Sequence, residues 1–291
     1  MVSGIKKTKT KARKSAKRSK APAKSRRVAQ QPTVVQDELA CQLALGARLK
    51  IIGLGGIGCI VLEFLGRYLK SQRHIEGMRL VLIDGDNFEP ANDQRMCFQT
   101  LGNKAEVKTA ETLKSLNPFH GSIVAVNQYV GEENISDLIK SGDHVFLCVD
   151  NHPTRRLVAE HCQTLTEVAL FSGGNEGVDP PRERGVYGNV QIHIRKDNRD
   201  VTAPLTRFHP EIAQAEGDLP GGPNCGELAL STPQILFANL AVASAMCSSF
   251  FAYATGNLHY QEVKLDILEN RLLPQLSLPR DLTVPQMSAR K

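Results

Sequence analysis

No Cys-x-x-Cys pair occurs anywhere in the 291 residues, which argues against a structural zinc ribbon. The seven cysteines, at 41, 59, 97, 148, 162, 225 and 247, are odd in number and lack short regular spacing. Free thiols in a reducing compartment are expected, not a disulfide framework. The first residues hold no apolar run of the kind a secretory leader needs, and they are Lys-rich rather than amphipathic, so the expected location is cytoplasmic. Between Leu228 and Gln261 there is no Asp, Glu, Lys or Arg. Pro233, Gln234, Asn239 and several serines interrupt that stretch, and no basic flank follows closely. A buried helix at a subunit contact is therefore expected ahead of a membrane span.

Acid is missing from residues 1–36, which hold twelve of the basic residues, so residues 37–291 carry 24 − 30 = −6 although the whole chain is +6. The basic balance describes a tail, not a folded body. That tail joins like charges to Ala, Ser, Thr and Pro and offers little to bury, so disorder is expected. It serves either as a solubilising or localising segment or as an arm that binds nucleic acid through counterion release. At 41% hydrophobic and 23% charged, the chain has ordinary globular composition and enough length for one large domain or two small ones.

From Leu49 the pattern is α/β. Leu49 to Leu54 reads as a short apolar strand, followed by a Gly-rich turn and an apolar stripe at helical spacing, Ile57, Ile60, Val61, Phe64 and Tyr68. Strands are expected at Arg79–Asp84, Ser122–Val130 and Val145–Asp150, and helices at Ala105–Leu116 and Thr154–Leu165. A short helix over Asp37–Ala47 precedes them. Alternation of this kind implies right-handed crossovers and a Rossmann-like, doubly wound, mostly parallel sheet with ligands at the carboxyl ends of its strands. Gly173 to Asn224 is rich in Gly, Pro and charge, with one alternating strand, Val186–Arg195; a stretch of this kind is usually functional. His259–Leu276 suggests a closing hairpin. The organisation expected is a tail (1–36), one domain (37–276) with a crossover loop at about 173–227, and a C-terminal tail (277–291).

Gly53-Leu-Gly55-Gly56-Ile-Gly58 lies between a strand and a helix. Lacking Cβ atoms, these glycines make the tight turn, let backbone N–H groups approach phosphate, and aim a helix N-terminus at negative charge. The same spacing satisfies Gly-x-Gly-x-x-Gly, so an NAD-dependent oxidoreductase stays in view, and Asp84 would accept from ribose hydroxyls in either case. What separates the readings is Asp84-Gly-Asp86-Asn-Phe-Glu89-Pro-Ala-Asn92-Asp-Gln-Arg95. Hydride transfer has no need of a second acid, an amide and an arginine so close to the ribose acid. Splitting a triphosphate does, because Arg95 can neutralise phosphate oxygens bidentately and Asn92 can donate to them.

With these motifs in order the chain resembles the ThiF/MoeB/E1-like adenylyltransferases, the activating enzymes of ubiquitin-like and sulfur-carrier proteins. The family pattern is met by Gly53, Gly55, Gly56, Gly58, Asp84, Asp86, Glu89, Asn92 and Arg95, with Phe88 in place of valine. Lys104 resembles the family's phosphate-binding lysine at the head of a helix, with Lys108 a lesser candidate. Cys148-Val-Asp150-Asn151 followed by Arg155 matches the family's Asp-Asn, whose aspartate holds magnesium. Pro223-Asn-Cys225-Gly-Glu resembles the stretch where ThiF-type enzymes place an acyl-accepting cysteine; the alternative for Cys225 is a buried small hydrophobe. Cys59, Cys148 and Cys162 read as core.

The resemblance implies ATP and Mg²⁺ as cofactors, with no zinc. It implies attack of a C-terminal carboxylate on the α-phosphate of ATP, and Arg95, Lys104 and Mg²⁺ on Asp150 stabilising the charge that develops. The implied partner is a small ubiquitin-like or sulfur-carrier protein ending in Gly, with an E2-like or sulfur-transfer partner downstream, and the implied assembly is a homodimer. The family's Arg-Tyr-x-Arg-Gln opening helix has no match here. Two further readings follow: a tRNA-modifying dehydratase of the same fold, whose tail would hold RNA, and an inactive scaffold subunit.

Overall fold

The computed structural model describes residues 39–72, 76–94, 96–176, 178–179, 183–221 and 234–276. The basic tail, Arg95, Cys225 with its flanking motif, and residues 277–291 lie outside the described residues.

Eight strands form the path of the main sheet: β1 (Arg48–Ile52), β2 (Met78–Ile83), β3 (Gly121–Val126), β4 (Asp143–Leu147), β5 (Val168–Asn175), β6 (Tyr187–Lys196), β7 (Tyr260–Asp266) and β8 (Arg271–Leu276). Their spatial order is β8-β7-β6-β5-β4-β1-β2-β3, with the two-residue strand Arg199–Asp200 pairing on β6 as a ninth. The pairs from β5 through β4, β1 and β2 to β3 are all parallel. The pairs from β5 outward to β8 are antiparallel. Mixed sheets of this kind often add antiparallel edge strands to a parallel centre.

Strand pleating sorts the core into two layers. Leu49 and Ile51 face one hydrophobic cluster and Ile52 the other, while Leu80 and Leu82 oppose Val81 and Ile83 in the same way. The first face is covered by α1 (Gly56–Ser71), α2 (Lys104–Ser115) and α4 (Leu236–Ala254); the second by α3 (His152–Thr164). This is the doubly wound arrangement the alternation implied.

Several boundaries differ from the sequence reading. Residues 39–47 form no helix; Gln42 instead donates its backbone N–H to Ala254 O, and Gly46 adopts φ +69°, which breaks any continuing helix. On α1 the line facing the sheet is Ile57, Val61, Leu65 and Leu69, while Phe64 is 55% exposed. Ile60, Phe64 and Tyr68 form a neighbouring stripe that faces α4 across an open groove. β5 runs through Gly173 and Gly174, which sequence alone assigned to an irregular stretch. A Cβ at Gly173 would lie 2.2 Å from Met246 Sδ, and one at Gly174 2.6 Å from Arg155 Nη2, so the glycines admit those side chains onto a regular strand. The uncharged helix α4 lies against α1, β5 and β6, with Phe250 packed on Phe171 and Phe146. It is long and apolar enough to cross a membrane, yet it forms part of this core.

His209 ties the irregular segment to the sheet. Its Nε2 meets Glu262 of β7 at 3.1 Å and its Nδ1 meets Glu211 at 2.7 Å, with His152 of α3 as the remaining titratable neighbour. The bond to Glu262, opposed by burial and aided by Glu211, raises the imidazole above its ordinary 6.5. A raised folded-state value means the stabilisation is complete below the unfolded value and is lost as pH rises through the folded one. Amide exchange over Leu205–Ala213, corrected for intrinsic rate, should accelerate as pH rises above the ordinary imidazole value of 6.5, and His209→Gln should remove that pH dependence.

Candidate functional site

The carboxyl ends of β1, β2 and β4 converge on the glycine turn. Gly53 leaves β1 at φ +87°, and a Cβ there would lie 3.0 Å from both the carbonyl carbon and the oxygen of Cys148. Gly58 is tighter still: its Cβ would fall 1.9 Å from Gly53 O. These two positions need glycine for steric reasons alone, which gives the motif a physical basis independent of any ligand. The turn also leaves α1 without a side-chain cap, since Gly55 occupies the N-cap and has none to give. The first helical bond runs from Cys59 N–H to Gly55 O at 3.0 Å, so the N–H groups of Gly56, Ile57 and Gly58 have no helical acceptor. Such a helix start suits an anion, and a phosphate chain fits the cradle.

Asp84 braces the turn from β2. Its Oδ2 accepts from Leu54 N–H at 2.6 Å and its Oδ1 from Asp86 N–H at 2.8 Å. Burial raises its carboxyl above the ordinary value, and Lys104 together with the two backbone donors works against that rise. The sequence reading gave Asp84 only a ribose; the structure gives it a scaffold role first, with further lone pairs on each oxygen.

Asp86 and Lys104 pair at 3.0 Å, and Lys104 N–H also donates to Asp86 O at 2.8 Å. Tyr129 donates its hydroxyl to Asp86 Oδ1. Asn103 caps α2 through its Oδ1 and Glu106 N–H, while its Nδ2 donates to Asp84 O, Asp86 O and Asn127 Oδ1. Sequence reasoning passed over Asn103, Asn127 and Tyr129. The Asn-x-x-Glu spacing of Asn103 and Glu106 is a capping signal that would have found the first; Tyr129 carries no local signal. Lys108 is engaged elsewhere, bonded to Glu111 and Cys97 O at 2.8 Å each, so Lys104 is the lysine that reaches the Asp86 side of the crevice.

Asp150 lies in the loop after β4 and is exposed. Arg155, buried on α3, pins that loop by donating to Val149 O at 2.6 Å, Gly173 O at 2.7 Å and Ser172 Oγ at 2.8 Å. Asn151 was read as a ligand contact; its Oδ1 instead accepts from Thr154 N–H at 2.9 Å and caps α3, since a helix start needs an acceptor there. Asn92 was read as a phosphate donor, and its Oδ1 accepts from Glu89 N–H at 3.0 Å to close the turn. Met96 reaches to 3.8 Å of the Cβ position at Gly55, so the segment from Pro90 returns to the glycine turn. Phe88, where the family pattern has valine, stacks on Phe98 at 4.5 Å. Burial pushes the thiols of Cys59 and Cys162 up to about 12 and raises that of Cys148 also, as core cysteines require. Among the described residues no group of three His, Cys, Asp or Glu side chains could hold a metal ion on its own.

The braced glycine turn and the Lys104–Asp86 pair thus meet through Asp84, and Asp150 stands two residues beyond Cys148, whose carbonyl abuts Gly53. The profile of the ThiF family matches residues 26–267. The chain belongs to the ThiF family. Among curated relatives, Molybdopterin-synthase adenylyltransferase of Salmonella typhimurium is 30% identical over 170 residues, covering 57% of this chain and 61% of that one. Ubiquitin-like modifier-activating enzyme 5 of Gallus gallus is 30% identical over 157 residues, covering 50% and 36%. The matched region is thus about three-fifths of the first relative's length and about a third of the second's. Among solved structures, E. coli MccB with ATP superposes at a TM-score of 0.57 with 16% identity, over 86% of this chain and 68% of that one, a likeness of fold.

Gly58→Ala should displace the turn, since neither Gly53 O nor the helix start can yield cheaply. Unfolding in urea should show a loss of about 1–3 kcal/mol, the usual range for overpacking, and a stability equal to wild type would mean the turn is not held as described.

Proposed function

We propose that this ThiF-family chain is an ATP-dependent adenylyltransferase that activates the C-terminal carboxylate of a small ubiquitin-like or sulfur-carrier protein. The observation that carries the reading is the glycine turn, braced by Asp84 and opening α1 with N–H groups that have no helical acceptor, joined through Asp84 and Asp86 to Lys104. The relatives named as adenylyltransferase and ubiquitin-like modifier-activating enzyme support the substrate class.

In the proposed reaction a carboxylate oxygen of the partner's terminal Gly attacks the α-phosphorus of ATP. The bond from that phosphorus to the bridging oxygen breaks, and pyrophosphate leaves with the electron pair. The turn's N–H groups would hold the phosphates, and Asp84 fixes the turn by accepting from Leu54 N–H. Lys104, held by Asp86, would neutralise charge on the phosphoryl oxygens, with Arg95 as a second cation. Mg²⁺ suits Asp150, an exposed carboxylate with no ion pair among the described residues, because a hard cation takes carboxylate oxygen and completes its shell from phosphate and water. When bound, the ion supplies positive charge to the phosphate oxygens.

Cys225 is proposed as the acyl acceptor that would pass the partner on to an E2-like or sulfur-transfer protein. Support comes from Gly221, four positions before it in the sequence: a Cβ there would lie 2.6 Å from the Tyr129 ring, which bonds Asp86. A homodimer is proposed through the α1–α4 face. There Phe64 of α1 and Phe237, Leu240 and Phe251 of the uncharged α4 are 38–68% exposed beside a groove of about 450 Å³.

ATP–pyrophosphate exchange with Gly-terminated small ubiquitin-like proteins tests the chemistry. Lys104→Ala and Asp150→Ala should each lower exchange by about 10²–10³, the usual loss for one preorganised charge-stabilising group. Exchange at the wild-type rate in either variant removes that residue from the mechanism. Cys225→Ala should keep exchange and lose a thiol-labile adduct with the partner. For the assembly, light scattering should give a dimer mass that Phe237→Glu reduces to the monomer; a monomeric wild-type protein rejects the interface.

A further inference from the structure

Asn239 stands in the first turn of α4 and is wholly buried, among Ala238, Val242 and Ala243, which are also buried and apolar. Both of its amide atoms, Oδ1 and Nδ2, lack a hydrogen-bond partner. A carboxamide in that state pays the full desolvation penalty of two groups, so an apolar residue would serve the resting fold better. What the amide touches is the glycine turn. A Cβ on Gly56 would lie 2.2 Å from Asn239 Nδ2 and 2.9 Å from its Cγ, so the carboxamide rests against the bare backbone of Gly56. That backbone belongs to the helix start whose first N–H groups have no helical acceptor. The amide and the N–H groups without a helical acceptor therefore meet at Gly56, with Nδ2 the nearer atom and Oδ1 3.5 Å from the same Cβ position, so a rotation of the amide would turn its acceptor toward the helix start.

A second carboxamide points the same way. Along β5, Phe171 packs on Phe250 and a Cβ at Gly173 would meet Met246 and Val242, so successive residues on that face climb toward the start of α4. The two-residue period puts Asn175 on the same face, one step further toward the first turn of α4. Both amide atoms of Asn175 are likewise unpartnered.

We propose that Asn239 is a positioning residue for the nucleotide-binding turn. Its Oδ1 accepts an N–H of the Gly55–Gly58 turn once phosphate has drawn the turn into its bound geometry. The bond forms in the nucleotide-bound state and is missing from the resting one, so it favours binding differentially instead of stabilising the fold. The proposal rests on the reading of the crevice as an ATP site and adds a residue to it from the last helix.

Asn239→Leu, of similar volume and apolar, and Asn239→Ala, smaller, test it on the full-length protein. The measurements are the thermal midpoint without nucleotide and the dissociation constant of MgATP by calorimetry. The expected result is a nucleotide-free midpoint in the Leu variant equal to or above wild type, together with ATP affinity about tenfold weaker in both variants. A merely structural Asn239 would give the opposite: a lowered midpoint in the Leu variant with ATP affinity retained by whichever variant folds. Unchanged affinity in a folded variant, or loss of affinity only in step with nucleotide-free stability, overturns the proposal while leaving the ATP site intact. A wild-type protein that does not bind MgATP overturns the ATP-site reading itself.

Discussion

The bond from Leu54 N–H to the buried carboxylate of Asp84 is the constraint on which the crevice depends. It joins the end of β2 to the turn that follows β1, and the other oxygen of the same carboxylate holds Asp86. One side chain therefore sets the spacing between the anion-binding turn and the segment that positions Lys104. The arrangement is costly in its ionised form, which is why burial raises the carboxyl, and it is tolerated because Lys104 and two N–H donors partly offset the desolvation. A neutral residue would remove that cost and also the charge-assisted bonds that fix the turn.

The same economy of parts appears around Lys104. Its partner Asp86 receives a hydroxyl from Tyr129, and the Tyr129 ring is gripped between two glycines, since a Cβ at Gly85 or at Gly221 would lie 2.7 or 2.6 Å from it. A cation intended for phosphate has to be kept from collapsing onto the nearest carboxylate in a way that phosphate cannot reverse. Holding Asp86 with a second donor weakens its claim on the lysine, because the carboxylate's charge is shared between an ammonium and a phenol. On the far side, Arg155 binds three neutral oxygens and forms no salt bridge among the described residues, so its charge is left to act on the neighbouring Asp150.

Much of this was legible in the sequence, and the parts that were not share a cause. The parallel half of the sheet, its helices and the glycine turn follow from local signals: apolar runs of strand length, helical spacing and residues without Cβ. The site's charged members, Asp84, Asp86, Lys104 and Asp150, stand at strand ends or a helix start, where sequence order predicts position. The amides are where the structure adds most to the sequence reading. Asn92 and Asn151 each spend their Oδ1 on a backbone N–H of their own segment, three residues back and three residues on respectively, a local role that sequence order alone did not give them. Tyr129, Asn175 and Asn239 reach the site only through contacts between segments far apart in the chain, and nothing in one dimension marks them. β5 was hidden for a related reason, because its glycines make room for Met246 and Arg155 instead of ending a strand.

The two faces of α4 carry opposite demands, and the absence of charge along it answers both. Its inner face must fit over glycines of β5 and rings of β4, which excludes any side chain that needs water. Its outer face, with Phe237, Leu240 and Phe251 exposed, has no such restriction from this fold, and a soluble surface would ordinarily carry lysine or glutamate there. Inner packing does not explain apolar residues that point outward, and this is the face proposed above for contact with a second copy. The helix that bears that face begins with Asn239 against Gly56. In the proposed dimer and nucleotide site, a contact that seats α4 would also set how closely its first turn approaches Gly56.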